Sequence, residues 1–555
     1  MMKLIQGVRD RRFFMKKEIL ERYNEWLNSD FIKEEDRKIL EDMTDEEIEE
    51  AFSKTLEFGT AGIRGIMGVG TNRMNEYNIG KVTLGLANYL NTHYADASVV
   101  IGYDNRLNSR EFAFLTALVL NHEGIKTYIF KDITSTPEVS FAVKYLKTTS
   151  GIVITSSHNS KEYNGYKVYN YKGGQIVPPE DDLIIKEINS ISSYNIVKKA
   201  PLNNPLFHYL DKTIDEEFNK ENEKVIINRD IIERNSSKLK ITYTSFHGTG
   251  IRVIPFIFEK FGIRYNLVNE QCKVDPEFTY APEPNPEYEF NYDLAKEYAK
   301  DLDSDIILAS DPDSDRMGIL YKSGNEYKML NGNMIGVVFT YYLLNNLKVV
   351  KDNYIVRSIV TTNLVDKIAD YYNAKVVEVL TGCKNIAKVK DEDPDNYLFG
   401  FEESLGYMFN LNINDKNSFS STIFMIEILC YLKEQGKTLE DYIEEIYSKF
   451  GYYETKTDSI TYKGIDGPKK MSEVMDKLRN SNIFNEQERI DYLDMKGDLK
   501  TNAIKFVLNE NEYFMVRPSG TEPKIKLYFI VNDINHEQAK TRLSRLIDNV
   551  KQEIE

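Results

Sequence analysis

The sequence predicts an α/β protein built from four domains. Three observations lead there: short β-branched or apolar runs recur along the chain, each ends abruptly in small polar residues, and stretches with helical periodicity separate most of them. Buried strands alternating with helices imply mainly parallel sheets, whose ligand sites lie beyond the carboxyl ends of the strands. The chain has 555 residues, several times the length of one ordinary domain.

Taken in order, the first fifty residues read as amphipathic helix, dense in Glu and Lys, with TDEEIEEAF as a capped start at Thr44. Strand-like runs then appear in ASVVIGYDNR, GIVITSSHNS, KITYTSFHGTG, SDIILASDPDSD and KVVEVLTGCK, and helical periodicity covers Glu111 to Val119 and Asn333 to Leu347. Pro and Asn interruptions between Ala200 and Asn222 mark a junction. GNEYKMLNGN around Lys328 reads as a hairpin leading into a new helix, and after Tyr452 the composition turns polar and turn-rich. These breaks give domains 1–205, 206–325, 326–450 and 451–555. The last helix, near Glu537 to Glu555, places Leu543, Leu546, Ile547, Val550 and Ile554 on one face, so it packs on something.

Composition narrows the function classes. Hydrophobic residues at 41% and charged residues at 28% exclude collagen-like and disordered chains. A net charge of −16 argues against a nucleic-acid partner, which needs a basic surface. Cys272, Cys383 and Cys430 are too few for a disulfide scaffold and form no CxxC pair, so a cytoplasmic location is expected. Met334 to Leu344 is too short to span a bilayer, and MMKLIQGVRDRR meets charge before a signal-peptide core forms, so no membrane partner is expected.

Five segments carry chemistry. In Ser310-Asp311-Pro312-Asp313-Ser314-Asp315-Arg316, alternate carboxylates on an extended loop converge on one hard cation, Mg²⁺ or Ca²⁺. An EF-hand is excluded, because Arg316 stands where it needs Gly, Lys322 where it needs Glu, and a strand precedes the loop. Thr155-Ser156-Ser157-His158-Asn159 sets a hydroxyl beside an imidazole at a strand end and leads to Lys167; Ser157 lacks the glycine frame of a hydrolase elbow. Arg517-Pro518-Ser519-Gly520-Thr521 offers a planar fork plus neutral donors, a set that suits phosphate better than carboxylate. Phe58 to Gly65 is a glycine-spaced loop with one cation, Arg64, and is not a Walker loop. Glu402 and Ser404 at a strand end suit sugar hydroxyls, since an ionised Glu only accepts and sugar hydroxyls donate.

Together, TSSHNS, DPDSDR, FEESLG and RPSGTEPKIK resemble the four signature loops of the α-D-phosphohexomutase superfamily, and the likeness runs from about Phe58 to Lys526. FGTAGIRG, DPDSDR and TGCK are most similar to its longer branch, which contains phosphoglucomutase and phosphopentomutase. The resemblance implies three related mixed α/β domains plus a smaller C-terminal α+β domain around a central cleft. It implies a phosphorylated Ser157 that donates its phosphoryl to a sugar monophosphate, makes a bisphosphate, and takes back the other phosphoryl. It also implies Mg²⁺, one per chain, on Asp311, Asp313, Asp315 and Ser157. His158, Arg64 and Lys167 would stand near the transferring phosphate. Glu402 and Ser404 would read sugar hydroxyls, Arg517, Ser519, Gly520 and Thr521 would clamp the distal phosphate, and Thr381, Gly382, Lys384 and Arg316 would add substrate contacts.

The reaction so implied interconverts glucose 1-phosphate and glucose 6-phosphate, with glucose 1,6-bisphosphate as activator. Phosphomannomutase, phosphopentomutase or bisphosphate synthase chemistry would use the same residues. Two departures stand out: Ser156 replaces the usual Ala and adds a competing hydroxyl, and Ser160 replaces the usual Pro and loosens the serine loop.

Overall fold

The computed structural model describes residues 16–59, 62–462, 467–480, 484, 486–519 and 524–554. It opens with three short helices, Lys17–Leu27, Glu34–Asp42 and Asp45–Phe52. Thr44 caps the third in a full capping box with Glu47, as the sequence indicates. This helical cap closes over Trp26, the chain's single tryptophan, whose ring lies 5.8, 5.8, 5.4 and 5.2 Å from those of Phe31, Phe52, Tyr77 and Tyr194. Tyr77 and Tyr194 belong to the following domain, so the aromatic cluster is the seam between the two units.

Three sheets follow. The first contains β1 (Ile63–Ile66), β2 (Ser98–Tyr103), β3 (Lys126–Ile129), β4 (Ser150–Ile154), β5 (Tyr163–Asn170) and β6 (Phe207–Tyr209), ordered β1-β5-β4-β2-β3-β6. The second contains β7 (Lys240–Thr244), β8 (Arg264–Leu267), β9 (Ile306–Ser310), β10 (Met317–Ser323) and β11 (Glu326–Leu330), ordered β11-β10-β9-β7-β8. The third contains β12 (Tyr354–Ser358), β13 (Lys375–Val379), β14 (Tyr397–Glu402) and β15 (Gly406–Met408), ordered β13-β12-β14-β15.

Within each sheet one unit repeats. Its first three strands are parallel, and its fourth returns antiparallel beside the third. The relative order is the same all three times (β5-β4-β2-β3, β10-β9-β7-β8 and β15-β14-β12-β13), so the three domains are related as the resemblance implied. The fourth domain differs. It is an antiparallel sheet of β16 (Tyr452–Thr461), β17 (Glu488–Asp491), β18 (Ile504–Asn509), β19 (Glu512–Pro518) and β20 (Lys524–Asp533), ordered β16-β20-β19-β18-β17.

The repeat fixes where chemistry can occur. The connection between third and fourth strand carries TSSHNS in the first domain, DPDSDR in the second and the end of FEESLG in the third. Central strands such as β4 and β9 are buried along their whole length, so polar groups are expelled to their ends.

The segment Gly332–Asn346, apolar all round, is a buried core helix, and among the described residues no helix is long and apolar enough to cross a membrane. On the last helix, His536–Ile554, residues Leu543, Leu546, Ile547, Val550 and Ile554 pack against the fourth domain's own sheet. Inside the long helix Ser418–Gln435, buried Glu427 accepts from the amides of Ile227 (2.9 Å) and Asn228 (2.8 Å) and from the Tyr342 hydroxyl (2.9 Å), tying the second domain to the third. Glu427→Gln removes one acceptor oxygen and strands a buried donor; a fall of about 1–3 kcal/mol in unfolding free energy is expected, read by denaturant titration.

Candidate active site

The β4–β5 and β9–β10 connections meet across the seam between the first two domains. Ser157 is 3% exposed and adopts φ 52°, a left-handed turn that sends its hydroxyl toward the second domain. Ser157 Oγ donates to Asp311 Oδ2 at 2.8 Å and lies 3.3 Å from His158 Nδ1, while its amide donates to Thr155 Oγ1 at 2.8 Å. Ser156, offered by the sequence as a competing hydroxyl, is fully buried, and Ser157 is the one that reaches Asp311.

Asp311, Asp313 and Asp315 each present an oxygen within 4.8 Å of the others, and all three are buried. Asp313 Oδ2 takes Lys167 Nζ at 2.7 Å and Thr136 Oγ1 at 2.7 Å; Asp315 Oδ2 takes Lys416 Nζ at 3.1 Å, with Lys167 at 3.6 Å. Asp313 Oδ1 and Asp315 Oδ1 are buried without a hydrogen-bond partner. A hard divalent cation fits those orphaned oxygens, and the all-oxygen donor set suits it.

The loop is held from behind by residues 245–250. Thr249 donates its amide to Pro312 O at 2.8 Å, and its hydroxyl is 2.9 Å from Ser314 Oγ. A Cβ on Gly248 would lie 2.3 Å from Pro312 Cα, so only glycine lets the two loops approach this closely.

Electrostatics follow from this packing. Burial, then Asp315 and Asp313, push the Asp311 carboxyl well above the usual range. Burial acts on Asp313 in the same sense, but the Lys167 ammonium outweighs it and holds that carboxyl low. Burial also works against the charged form of Lys167, yet Asp313, Asp315 and Asp415 prevail and keep it protonated. His158 is pushed well below its ordinary value by burial, then by Arg316 and Arg64, so its imidazole is neutral. Exposed Arg64 donates to Asn159 Oδ1 at 2.7 Å. Arg316 turns back on its own loop, its amide donating to Asp311 Oδ1 at 3.0 Å and its guanidinium facing Glu287 at 3.3 Å.

Of the other expected residues, Glu402 lies close enough to Arg316 and Lys416 to raise their pKa values against burial. Glu402 Oε1 accepts from the Gly382 amide at 2.6 Å, joining the sugar-reading loop to the Thr381–Lys384 turn. Lys384 is half-buried, and burial lowers its pKa. Ser404 lies on the same tight connection as Leu405, whose carbonyl accepts from the Met317 amide at 3.1 Å, so third- and second-domain loops touch. Arg517, next to last in β19, lies beside Tyr528, the Ser519 amide donates to Lys524 O at 2.8 Å, and Lys526 lies close enough to Glu403 to lower its pKa. That field opposes burial, which with Glu402 brings Glu403 up to about 7. Gly520 and Thr521 lie outside the described residues.

Several residues were not anticipated. Lys416 is the second cation on the carboxylates, and Asp415 anchors it while accepting from Tyr169 OH at 2.7 Å and Cys383 Sγ at 3.0 Å. Asp104 and Arg106, just past the end of β2, form a buried pair at 3.2 Å behind the serine loop. ASVVIGYDNR ends in small polar residues as the TSSHNS and DPDSDR segments do, so its position at a strand end is the available signal.

Comparison with known proteins agrees with this architecture. The family models for phosphoglucomutase/phosphomannomutase match in chain order: alpha/beta/alpha domain I at residues 55–195, domain II at 216–324, domain III at 331–450 and the C-terminal domain at 465–541. The phosphoglucomutase of Staphylococcus haemolyticus is 36% identical over 515 residues, 88% of this chain and 93% of that protein. That of Staphylococcus saprophyticus is 36% identical over 542 residues, 92% and 95%. Among solved structures, the open form of the Paramecium exocytosis-sensitive phosphoprotein parafusin, a phosphoglucomutase, superposes with a TM-score of 0.72 at 17% identity, covering 90% of this chain and 95% of that one. A phosphoglucomutase/phosphomannomutase family protein from Burkholderia thailandensis gives 0.67 at 16% identity, covering 89% and 95%. The structures share the fold, while the four ordered domain matches and the full-length relatives establish descent: this chain belongs to the phosphoglucomutase/phosphomannomutase family.

Proposed function

We propose that the chain interconverts α-D-glucose 1-phosphate and glucose 6-phosphate through a phosphoserine at Ser157 and a glucose 1,6-bisphosphate intermediate. The observation that carries this reading is the Ser157 hydroxyl 2.8 Å from Asp311, inside a buried cluster of three carboxylates and two lysines. Asp311, Asp313 and Asp315 would hold Mg²⁺ together with an oxygen of the phosphoserine. Bound there, the ion supplies the positive charge that neutralises the non-bridging phosphoryl oxygens.

Protein groups do the rest. In the first half-reaction the P–Oγ bond of phospho-Ser157 breaks and a P–O6 bond forms on glucose 1-phosphate, whose O6 proton leaves to a base. The bisphosphate turns end for end, Ser157 Oγ takes the phosphoryl from O1, and O1 regains a proton. His158 Nδ1, 3.3 Å from Oγ, is within reach to relay the proton at Ser157. Lys167 stays charged and steadies the carboxylates, and Arg64 stands exposed beside Asn159 to meet the transferring phosphoryl. Glu402 and Ser404 read sugar hydroxyls, with Thr381, Gly382, Lys384 and Arg316 around them. Arg517, Ser519, Gly520 and Thr521 hold the distal phosphate. Arg517→Ala should raise KM for glucose 1-phosphate about 10- to 100-fold, with kcat within a few-fold, because a charge-assisted fork to the phosphate that does not react is lost.

The curated relatives favour glucose, and the family's description also includes mannose phosphates. The test is kcat/KM for glucose 1-phosphate, mannose 1-phosphate and ribose 1-phosphate with Mg²⁺ and a trace of glucose 1,6-bisphosphate. Preference for glucose 1-phosphate is expected; preference for either other sugar moves the substrate assignment and leaves the chemistry, and failure of all three overturns the reading.

A further inference from the structure

We infer that Arg106 is the positioning residue that sets the nucleophile loop against the metal loop, an inference that rests on the phosphoserine reading of Ser157. Arg106 lies in the turn that follows the first-domain strand β2 and is 3% exposed. Its guanidinium donates to three carbonyls of the serine loop and to the first of β5: Nη2 to Ser157 O at 2.6 Å and to Asn159 O, and Nη1 to Ser160 O at 2.8 Å and Tyr163 O at 3.0 Å. Those carbonyls lie at and beyond the nucleophile, along the connection that carries it to β5. A planar fork with rigidly spaced donors can hold four acceptors at once, whereas a lysine, a point charge on a flexible stem, cannot hold them in one geometry.

The fork is itself fixed. Arg106 Nε faces Asp104 Oδ2 at 3.2 Å, and Asp104 Oδ1 accepts from Ser109 Oγ at 2.6 Å and from the Arg106 amide at 3.0 Å. On its other side the guanidinium lies 4.9 Å from the ring of Phe278, in the second domain, and the adjacent Asn105 donates to Asp275 O at 3.1 Å. Arg106 therefore ties the serine loop both to its own sheet and to the domain that carries Asp311. Two features of that loop call for such a tie. Ser157 sits at φ 52°, a conformation that persists only where the surroundings over-determine it, and residue 160 is Ser rather than a ring-locked Pro. The Ser160 carbonyl is held by Arg106.

The test compares wild type, R106K and R106K/S160P, each characterised first for its folded fraction. Wild type incubated with glucose 1,6-bisphosphate should gain one phosphoryl group, mapped to Ser157 by peptide mass spectrometry; absence of that label overturns the phosphoserine reading and this inference with it. With the label present in wild type, R106K should lose about 10²-fold in kcat per folded molecule, with KM for glucose 1-phosphate little changed and Ser157 labelled correspondingly more slowly. Adding S160P should return about tenfold of that loss, because the ring restores stiffness the fork had supplied. A purely structural arginine would lower the melting temperature and leave kcat per folded molecule unchanged, and that result, or a loss that S160P does not relieve, overturns the inference while leaving the phosphoserine standing. Should R106K not fold, Phe278→Leu decides: a kcat reduced about three- to tenfold at unchanged KM upholds it, and an unchanged kcat overturns it.

Discussion

Ser157→Ala removes turnover and leaves the fold in place. The expected loss in kcat on glucose 1-phosphate is about 10⁴-fold or more, because the reaction as proposed passes through a bond to Ser157 Oγ and no other group can replace it. Ser156, the hydroxyl next to it in the chain, is fully buried. Stability should change little. Serine and alanine both carry a Cβ, so the cost of φ 52° is the same for each, and the substitution deletes one hydrogen bond to Asp311. Far-UV circular dichroism and a thermal melt check the fold while a coupled assay checks turnover; near-normal activity would remove Ser157 from the mechanism.

Asp311→Asn comes second in size. Asparagine keeps the shape of the side chain and one acceptor oxygen for Ser157 or for the Arg316 amide, but it takes a full charge out of the cation site. A loss of about 10³-fold in kcat is expected, in line with removal of a major electrostatic contributor to phosphoryl transfer. The stability effect has the opposite sign without metal. Asp311 is the carboxylate that burial and its two neighbours disfavour most, so its removal relieves repulsion, and in chelator the variant should melt no lower than wild type. Wild type should gain thermal stability on titration with Mg²⁺, and the variant should lose most of that gain. A variant that keeps both the Mg²⁺-dependent rise and its kcat would place the metal elsewhere.

Much of this was legible in the sequence, for reasons that can be named. A strand buried along its length, such as β4 or β9, tolerates polar residues only at its ends, so TSSHNS and DPDSDR announced themselves as strand-end loops before their partners were known. The α/β class followed from the same runs, and Thr44 followed from local capping chemistry that needs only four residues. What could not be read is contact across domains. Lys416 looks like one more surface lysine in NINDKN, and only the fold brings it to 3.1 Å from Asp315. Arg106 likewise gains its meaning from four carbonyls some fifty residues away in the chain. The repeat was hidden for a related reason: strand order is a property of pairing, and the three units share that order while carrying different residues in their third-to-fourth connections.

The placement of Trp26 gives the protein a built-in optical gauge. With one indole in the chain, enclosed by rings from the helical cap and the first domain, selectively excited emission reports on that seam, whose packed rings include none of the residues named in the catalytic site. A metal or sugar phosphate that leaves the emission unchanged has therefore not been shown to stay unbound. Conversely, a spectral shift on heating dates the separation of cap from domain. Recorded alongside turnover in one temperature ramp, it ranks the two events: emission that changes while catalysis persists would mark the cap as dispensable to the cleft, and simultaneous loss would make the seam part of one cooperative unit.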